Sequence, residues 1–199
     1  MKLELDKNAK YLVAVSGGVD SMVLLDLFLK SNYEFEVLNV DHGTLQEADL
    51  IIEHLKSLPI KLHLRKLEQA PKANKEALWR EFRQKAFAEF QAQGFVVVTA
   101  HHADDLLETS LMKSAAGTSL EGLVNMASSS QIVRPLLSFA KSEIYEYAKV
   151  HGLGYFEDPS NLNLDFSRNL LRAKVLPNMH KYLPNFRTGF LRTIKNLSE

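Results

Sequence analysis

Apolar runs of four to six residues recur along the first half of the chain, at 11–15 (YLVAV), 35–40 (FEVLNV) and 95–99 (FVVVT), with a shorter one at 61–64 (KLHL). Between them the apolar positions change to helical spacing, over about 21–29, 46–58, 75–92 and 104–116. Near-continuous apolar strands alternating with helices predict an α/β fold, a parallel sheet with helices on both faces. In such a sheet ligands bind outside the carboxyl ends of the strands. Polar clusters stand where that rule wants them. Ser16-Gly17-Gly18 follows the first strand and Asp41-His42-Gly43 the second. His101-His102, with Asp104-Asp105, follows the strand ending at Thr99. Three strand-to-helix loops are therefore expected to converge on one crevice.

Beyond Gly117 the pattern weakens. Ser128-Ser129-Ser130 reads as a loop, and 132–137 (IVRPLL) as short and extended, because a residue before proline is pushed out of the helical region. Residues 142–150 read as a helix stopped at Gly152, and Asp158-Pro159-Ser160-Asn161 as a turn. The rest reads as two short helices broken at Pro177 and Pro184. The expected organisation is an α/β domain over residues 1–127 and a small helical C-terminal extension over 128–199, packed on it or continuous with it.

Composition narrows the class. A chain of 199 residues with 46% hydrophobic and 24% charged positions suits a globular protein with a real core. No apolar run approaches the ~18–20 residues that span a bilayer, and the N-terminus carries no signal-peptide core. A cytoplasmic location is expected, with no membrane partner. The absence of cysteine removes disulfides, thiolate catalysis, cysteine-ligated zinc and iron–sulfur clusters. Net charge is zero but unevenly spread: residues 163–199 hold seven bases against two acids, so the tail carries +5 and the body −5. That split predicts a localised polyanion contact, with a merely solvated helical face as the alternative.

The string SGGVDS at 16–21 carries the sharpest chemistry. Adjacent glycines permit positive φ and close backbone approach to an anion, and the N–H groups of the following helix can point at phosphate oxygens. An ordinary serine-capped strand-to-helix turn would share the Gly-Gly pair alone. The string is neither a Walker A loop nor a G-x-G-x-x-G fingerprint. Asp41, Asp104 and Asp105 are the carboxylates at strand ends, suited to Mg2+. His101 and His102 could serve phosphate or a proton, but neighbours on an extended segment point oppositely and do not make a metal pair. Asp104 could instead cap the helix with Glu108 as its partner. Glu76, Arg80 and Arg83 share a helical face that reads, from spacing alone, as a surface ion-pair stripe with Trp79 and Phe82 in the core. Arg168 and Arg172, at i and i+4, share a basic face suited to a phosphate backbone, with Ser167 as a cap.

The string Ser16, Gly17, Gly18, Val19, Asp20, Ser21 resembles the PP-loop motif of ATP pyrophosphatases, which split ATP between the α- and β-phosphates. With NVDHG at 39–43, EALWREFR at 76–83, TAHHADDLLET at 99–109, RPLL at 134–137, and EDPSN and SRNLLR within 157–172, the chain resembles the tRNA(Ile)-lysidine synthetase family over roughly 11–177. The resemblance implies an adenine-nucleotide α-hydrolase-like fold and an AMP-forming carbon–nitrogen ligase. ATP would activate the C2 carbonyl of the wobble cytidine of tRNA(Ile) with a CAU anticodon, and L-lysine would displace AMP. It further implies that residues 16–21 bind ATP. Asp41, His102 and Asp105 would serve the metal and the reacting groups, Asp41 and Asp105 holding Mg2+. Arg80, Arg83, Arg134, Arg168 and Arg172 would face phosphate or tRNA. It leaves the lysine pocket and a homodimeric state open.

The chain also departs from the family pattern. Thr44 interrupts the VDHGL string and Gln46 follows Leu45. Gln84 stands where tyrosine is usual, and Ala116 and Glu121 where arginine is. These changes bear on tRNA or phosphate contacts more than on ATP. The competing readings are another PP-loop enzyme, either a tRNA thiolase or a small-molecule amide-forming synthetase, and a module that holds ATP without turning it over. The missing cysteines oppose a thiolase with a cysteine relay.

Overall fold

The computed structural model describes residues 1–41, 48–67, 75–128, 132–157, 163 and 167–198. His42, Gly43 and the turn expected at 158–161 lie outside the described residues. Strands β1 (Lys10–Ala14), β2 (Glu34–Asp41), β3 (Leu62–Lys66), β4 (Phe95–Val98) and β5 (Ile132–Val133) form one sheet in the order β3-β2-β1-β4-β5. Every neighbouring pair is parallel. Helix α1 (Val19–Leu29) follows β1, α2 (Ala48–Lys56) follows β2, α3 (Lys75–Gln91) follows β3 and α4 (Ala103–Ala115) follows β4. The strand order turns back on itself between β1 and β4, the place where such sheets open a ligand crevice.

Alternate strand residues face opposite layers. Tyr11, Val13, Val37 and Val98 pack with α1, with Ile51 and Leu55 of α2, and with Ile144 and Ala148 of α6 (Lys141–Val150). Leu12, Leu38 and Val97 pack on the other face against Ala86, Phe87 and Phe90 of α3. Helix α1 is buried nearly all round, from Val19 to Phe28, because α6 covers its outer side. The chain beyond 128 thus adds an edge strand and a core helix to the same layers.

Two C-terminal features differ from expectation. Helix α5 (Leu120–Ser128) occupies a stretch beyond Gly117 where the sequence pattern weakens, and it takes in Ser128 of the expected loop. Its helical state comes from packing on α4 and on α9 (Phe186–Ser198). Pro177 does not break the chain into two helices. Helix α7 (Ser167–Leu170), a π-helical stretch at Leu171–Val175 and α8 (Leu176–Tyr182) run on without interruption. The wider π turn shifts the carbonyls that the proline ring would strike in an α-helix. Pro184 does separate α8 from α9.

Candidate functional site

The loop between β1 and α1 is anchored from both sides. On one side the buried Asn39 side chain donates to the Val15 carbonyl at 2.9 Å, and the Val15 N–H donates to the Leu38 carbonyl at 2.9 Å. On the other, the Phe156 N–H donates to the Gly17 carbonyl at 3.0 Å. Within the loop, Ser21 Oγ accepts from the N–H groups of Ser16 (3.2 Å) and Gly17 (3.1 Å) and donates to the Gly18 carbonyl at 2.8 Å. Gly17 has φ +92°, and a Cβ there would meet the Ile51 side chain at 2.7 Å. Gly18 is different: its φ is −71°, and a Cβ would make only ordinary contacts, the nearest at 3.7 Å. Of the two glycines only Gly17 uses the conformational freedom expected of the pair. No side chain caps α1 at Gly18, so its first-turn N–H groups lack a capping partner.

A cavity of about 370 Å³ opens at the carboxyl ends of β1, β2 and β4. Ser16, Asp20 and Ser21 of the loop line it together with Asp41, His101 and Asp105. Val15, Leu38, Ile51 and Phe87 contribute apolar wall, and Trp79 and Arg83 of α3 reach it as well. Of the three loops expected to converge, those after β1 and β4 do so, and Asp41, the last residue of β2, joins them at the cavity. Of the α3 face that read as an ion-pair stripe, Arg83 reaches the cavity wall, beside the Trp79 expected in the core. Asn39, also in that wall, stood in the NVDHG string without a role of its own, two positions before Asp41 on the same strand.

The two histidines part company, as extended neighbours must. His101 is on the cavity wall, its Nδ1 2.9 Å from Thr99 Oγ1. Burial pushes its pKa down to about 4; Asp105 opposes that shift, and the positive charges of Arg134, Arg83 and Arg168 add to it. His102 is buried behind the wall and caps α4: its Nδ1 accepts from the Asp104 N–H at 3.2 Å, while Asp105 accepts from the His102 N–H at 3.1 Å. This capping box displaces the one expected from Asp104 and Glu108. His102 Nε2 stands 3.3 Å from Asp105 and 3.7 Å from Asp20.

Arginines gather around this corner. Burial lowers the Arg83 pKa, and the positive charges of Arg80 and Arg168 lower it further. Arg134 is also lowered by burial, and its Nη1 donates to the Ile132 carbonyl at 3.1 Å. Arg168 donates to Thr109 Oγ1 at 2.8 Å. Arg172 is turned inward: its guanidinium grips both carboxylate oxygens of the fully buried Glu108, at 2.7 and 2.8 Å, and lies 3.6 Å from Asp105. Arg187 binds Asp104 at 3.1 Å. Three of the seven bases in the tail, Arg168, Arg172 and Arg187, are therefore paired with carboxylates of α4.

Asp41 pairs with Lys66 at 3.5 Å, and Asp20 with Lys141 at 2.7 Å. Among the described residues no three His, Cys, Asp or Glu side chains converge as a ready metal cage. Mg2+ does not require one, since it takes one or two carboxylates with phosphate oxygens and water. Asp41 and Asp105, which both line the cavity, fit that demand. Among the described residues no helix is long and apolar enough to cross a membrane.

The chain matches the PP-loop domain over residues 2–179. Among curated proteins it is similar to tRNA(Ile)-lysidine synthase of Nitrosomonas europaea, 34% identical over 205 residues, covering 94% of this chain and 44% of the relative. The corresponding protein of Pseudomonas aeruginosa is 35% identical over 201 residues, covering 94% of this chain and 46% of its own. The chain thus spans about half the length of the curated relatives it matches. Among solved structures it is similar in fold to the U34-tRNA thiolase NcsA from Methanococcus maripaludis, with a TM-score of 0.79 at 17% identity over 98% of this chain and 73% of that one. The NH3-dependent NAD synthetase from Campylobacter jejuni shares the fold at a TM-score of 0.52 and 18% identity, over 98% of this chain and 85% of that one. With its glycine loop at the end of β1, its parallel sheet and a match running through nearly its whole length, the chain belongs to the PP-loop domain family, with tRNA(Ile)-lysidine synthases among its homologues.

Proposed function

We propose that this chain is the ATP-using catalytic portion of a tRNA-modifying ligase that forms lysidine at the wobble cytidine of a CAU anticodon. The observation that carries the reading is the cavity, where the SGGVDS loop, Asp41 and Asp105 meet at three parallel strand ends. The loop and the first turn of α1 receive the phosphates through backbone N–H groups and the helix dipole. The apolar wall of Val15, Leu38, Ile51 and Phe87 takes the nucleoside. Asp41 and Asp105 hold Mg2+, which when bound supplies charge stabilisation to the phosphates. His102 holds Asp105 and Asp20 in place from behind. Arg80, Arg83, Arg134 and Arg168 present positive charge toward tRNA phosphates beside the cavity.

In the first step the cytidine C2 oxygen attacks the α-phosphorus, the α–β bridging bond breaks and pyrophosphate leaves. In the second, the lysine amine attacks C2, AMP departs with its oxygen, and the amine loses a proton. The homologues named tRNA(Ile)-lysidine synthase support this substrate pair.

ATP–pyrophosphate exchange, run with and without tRNA(Ile), tests the first step, and transfer of radiolabelled lysine to tRNA tests the second. Exchange that depends on tRNA, with lysine incorporation, is the expected result. Exchange without lysine incorporation would shift the reading to another PP-loop reaction. Binding of ATP with no exchange under any condition would leave a non-catalytic module.

A further inference from the structure

Trp79, the one tryptophan in the chain, reads from its spacing as core, yet it lines the cavity. Trp79, Arg83 and Phe87 stand at i, i+4 and i+8 on α3, so they share one helix face, and all three reach the cavity wall. Phe87 is buried in the core layer with Leu38 and Val97. Helix α3 connects β3 to β4 in a parallel sheet, so it runs against the strand direction and its first turns stand at the carboxyl ends of the strands. Eight residues of helix rise about 12 Å, which carries Trp79 that far beyond Phe87 toward the open side. The Trp79 side chain is half-buried, so part of its ring surface is free at that mouth.

The cavity has walls from both faces of the sheet. Val15 and Ile51 belong to the α1 side, where the glycine loop opens α1. Leu38 and Phe87 belong to the α3 side, and Trp79 extends that wall outward. Positive charge gathers near Trp79. The charges of Arg80 and Arg168 both act on Arg83, and those of Arg83, Arg134 and Arg168 all act on His101 in the cavity wall. An aromatic ring flanked by arginines suits single-stranded RNA: the ring takes a base by its face, and the guanidinium groups take the phosphates on either side. An anticodon nucleotide is unpaired, so its base can be splayed into such a mouth. Stacking occupies only the face of the base and leaves its edge free. The C2 edge of a cytosine lying on Trp79 can therefore turn inward, toward the glycine loop.

Resting on the lysidine reading above, we propose that Trp79 is the stacking platform for the reacting base, carrying the wobble cytosine on its indole at the cavity mouth while Arg83, one turn along α3, holds a phosphate beside it. Trp79 touches the substrate and exchanges no proton with it. Its task is to orient the C2 oxygen toward the α-phosphorus, since a reacting pair gains most from being held at the right approach. ATP lies deeper, against Val15 and Ile51, and does not use the indole.

With no other tryptophan in the chain, indole fluorescence reports this position alone. The test titrates the wild-type chain with three probes: α,β-methylene ATP, a CAU anticodon stem-loop RNA, and the same RNA with an abasic residue at the wobble position. The intact stem-loop is expected to quench the indole saturably. The abasic RNA, which keeps every phosphate, and the ATP analogue should leave the intensity nearly unchanged. Quenching by the ATP analogue in place of the RNA would put adenine on Trp79 and overturn the proposal. Equal quenching by both RNAs, or no response to either, would overturn it too. A second arm measures lysine transfer to tRNA(Ile). Trp79→Leu should raise the KM for tRNA about fivefold or more, the loss of one stacked base, with the KM for ATP within about twofold, and Trp79→Phe should restore much of the loss. An unchanged KM for tRNA in Trp79→Leu would overturn the platform and leave the lysidine reading standing. Base-dependent quenching with no lysine transfer would support the platform and sink the lysidine step.

Discussion

Replacing Arg172 with alanine removes the hydrogen-bonded cation from a carboxylate that has no access to water and leaves it only Arg168, 3.8 Å away. Glu108 is fully buried, and both of its oxygens are taken up by the Arg172 guanidinium at 2.7 and 2.8 Å. Removing one partner of a buried pair costs about 3–5 kcal/mol, mostly from the orphaned charge. The Arg172 side chain is 43% exposed, so water can reach part of the gap, and the lower end, about 3 kcal/mol, is the expected loss. For a domain of this size each kcal/mol moves the midpoint by about 2–4 °C, which gives a fall of roughly 6–12 °C. Thermal melting at low and high salt reads it, and the fall should persist in high salt because buried pairs are weakly screened. The double change Glu108→Met with Arg172→Met should recover much of the loss, since it leaves no unpaired charge. If instead Arg172 serves tRNA, alanine would melt within about 2 °C of wild type. It would also flatten the dependence of log affinity on log salt by about 0.7–0.9, the signature of one lost phosphate contact. That pair of results would refute the argument made from burial.

Three further outcomes are expected. Gly17→Ala should cost at least about 2 kcal/mol in chemical denaturation, from positive φ and the clash with Ile51, whereas Gly18→Ala should leave free-state stability within about 0.5 kcal/mol yet weaken ATP binding; equal stability losses would count against this division. Asp41→Asn and Asp105→Asn should each raise the magnesium needed for half-maximal turnover while melting changes little, and wild-type magnesium curves for both would remove them from the metal site. His101, with a pKa pushed down to about 4, is neutral in the fold across a range where the unfolded chain protonates, so its contribution to stability is full above about pH 6.5 and is lost as pH falls toward 4. Imidazole NMR titration checks the value, and His101→Asn should remove that part of the acid slope.

The alternation of apolar runs and helical spacing was enough to specify a parallel sheet, because strands buried on both faces must be apolar throughout and parallel neighbours need crossovers. The string at 16–21 was legible for a similar reason: a phosphate loop needs its glycine and its helix within a few residues of each other, so the whole device is local in sequence. Tertiary structure decided what locality could not reach. Helix α5 has apolar residues at helical spacing, Leu120, Leu123, Val124 and Ala127, but nothing within residues 120–128 says that α4 and α9 are what cover it. Which histidine faces the cavity depends on where β4 ends and α4 begins. The Glu108–Arg172 and Asp20–Lys141 pairs join residues 64 and 121 positions apart, and a lone charged residue carries no mark of its distant partner. The basic tail that read as a polyanion surface turns several of its arginines toward α4, because Glu108 is fully buried there, Asp104 and Asp105 are half-buried, and their charges are neutralised by those arginines.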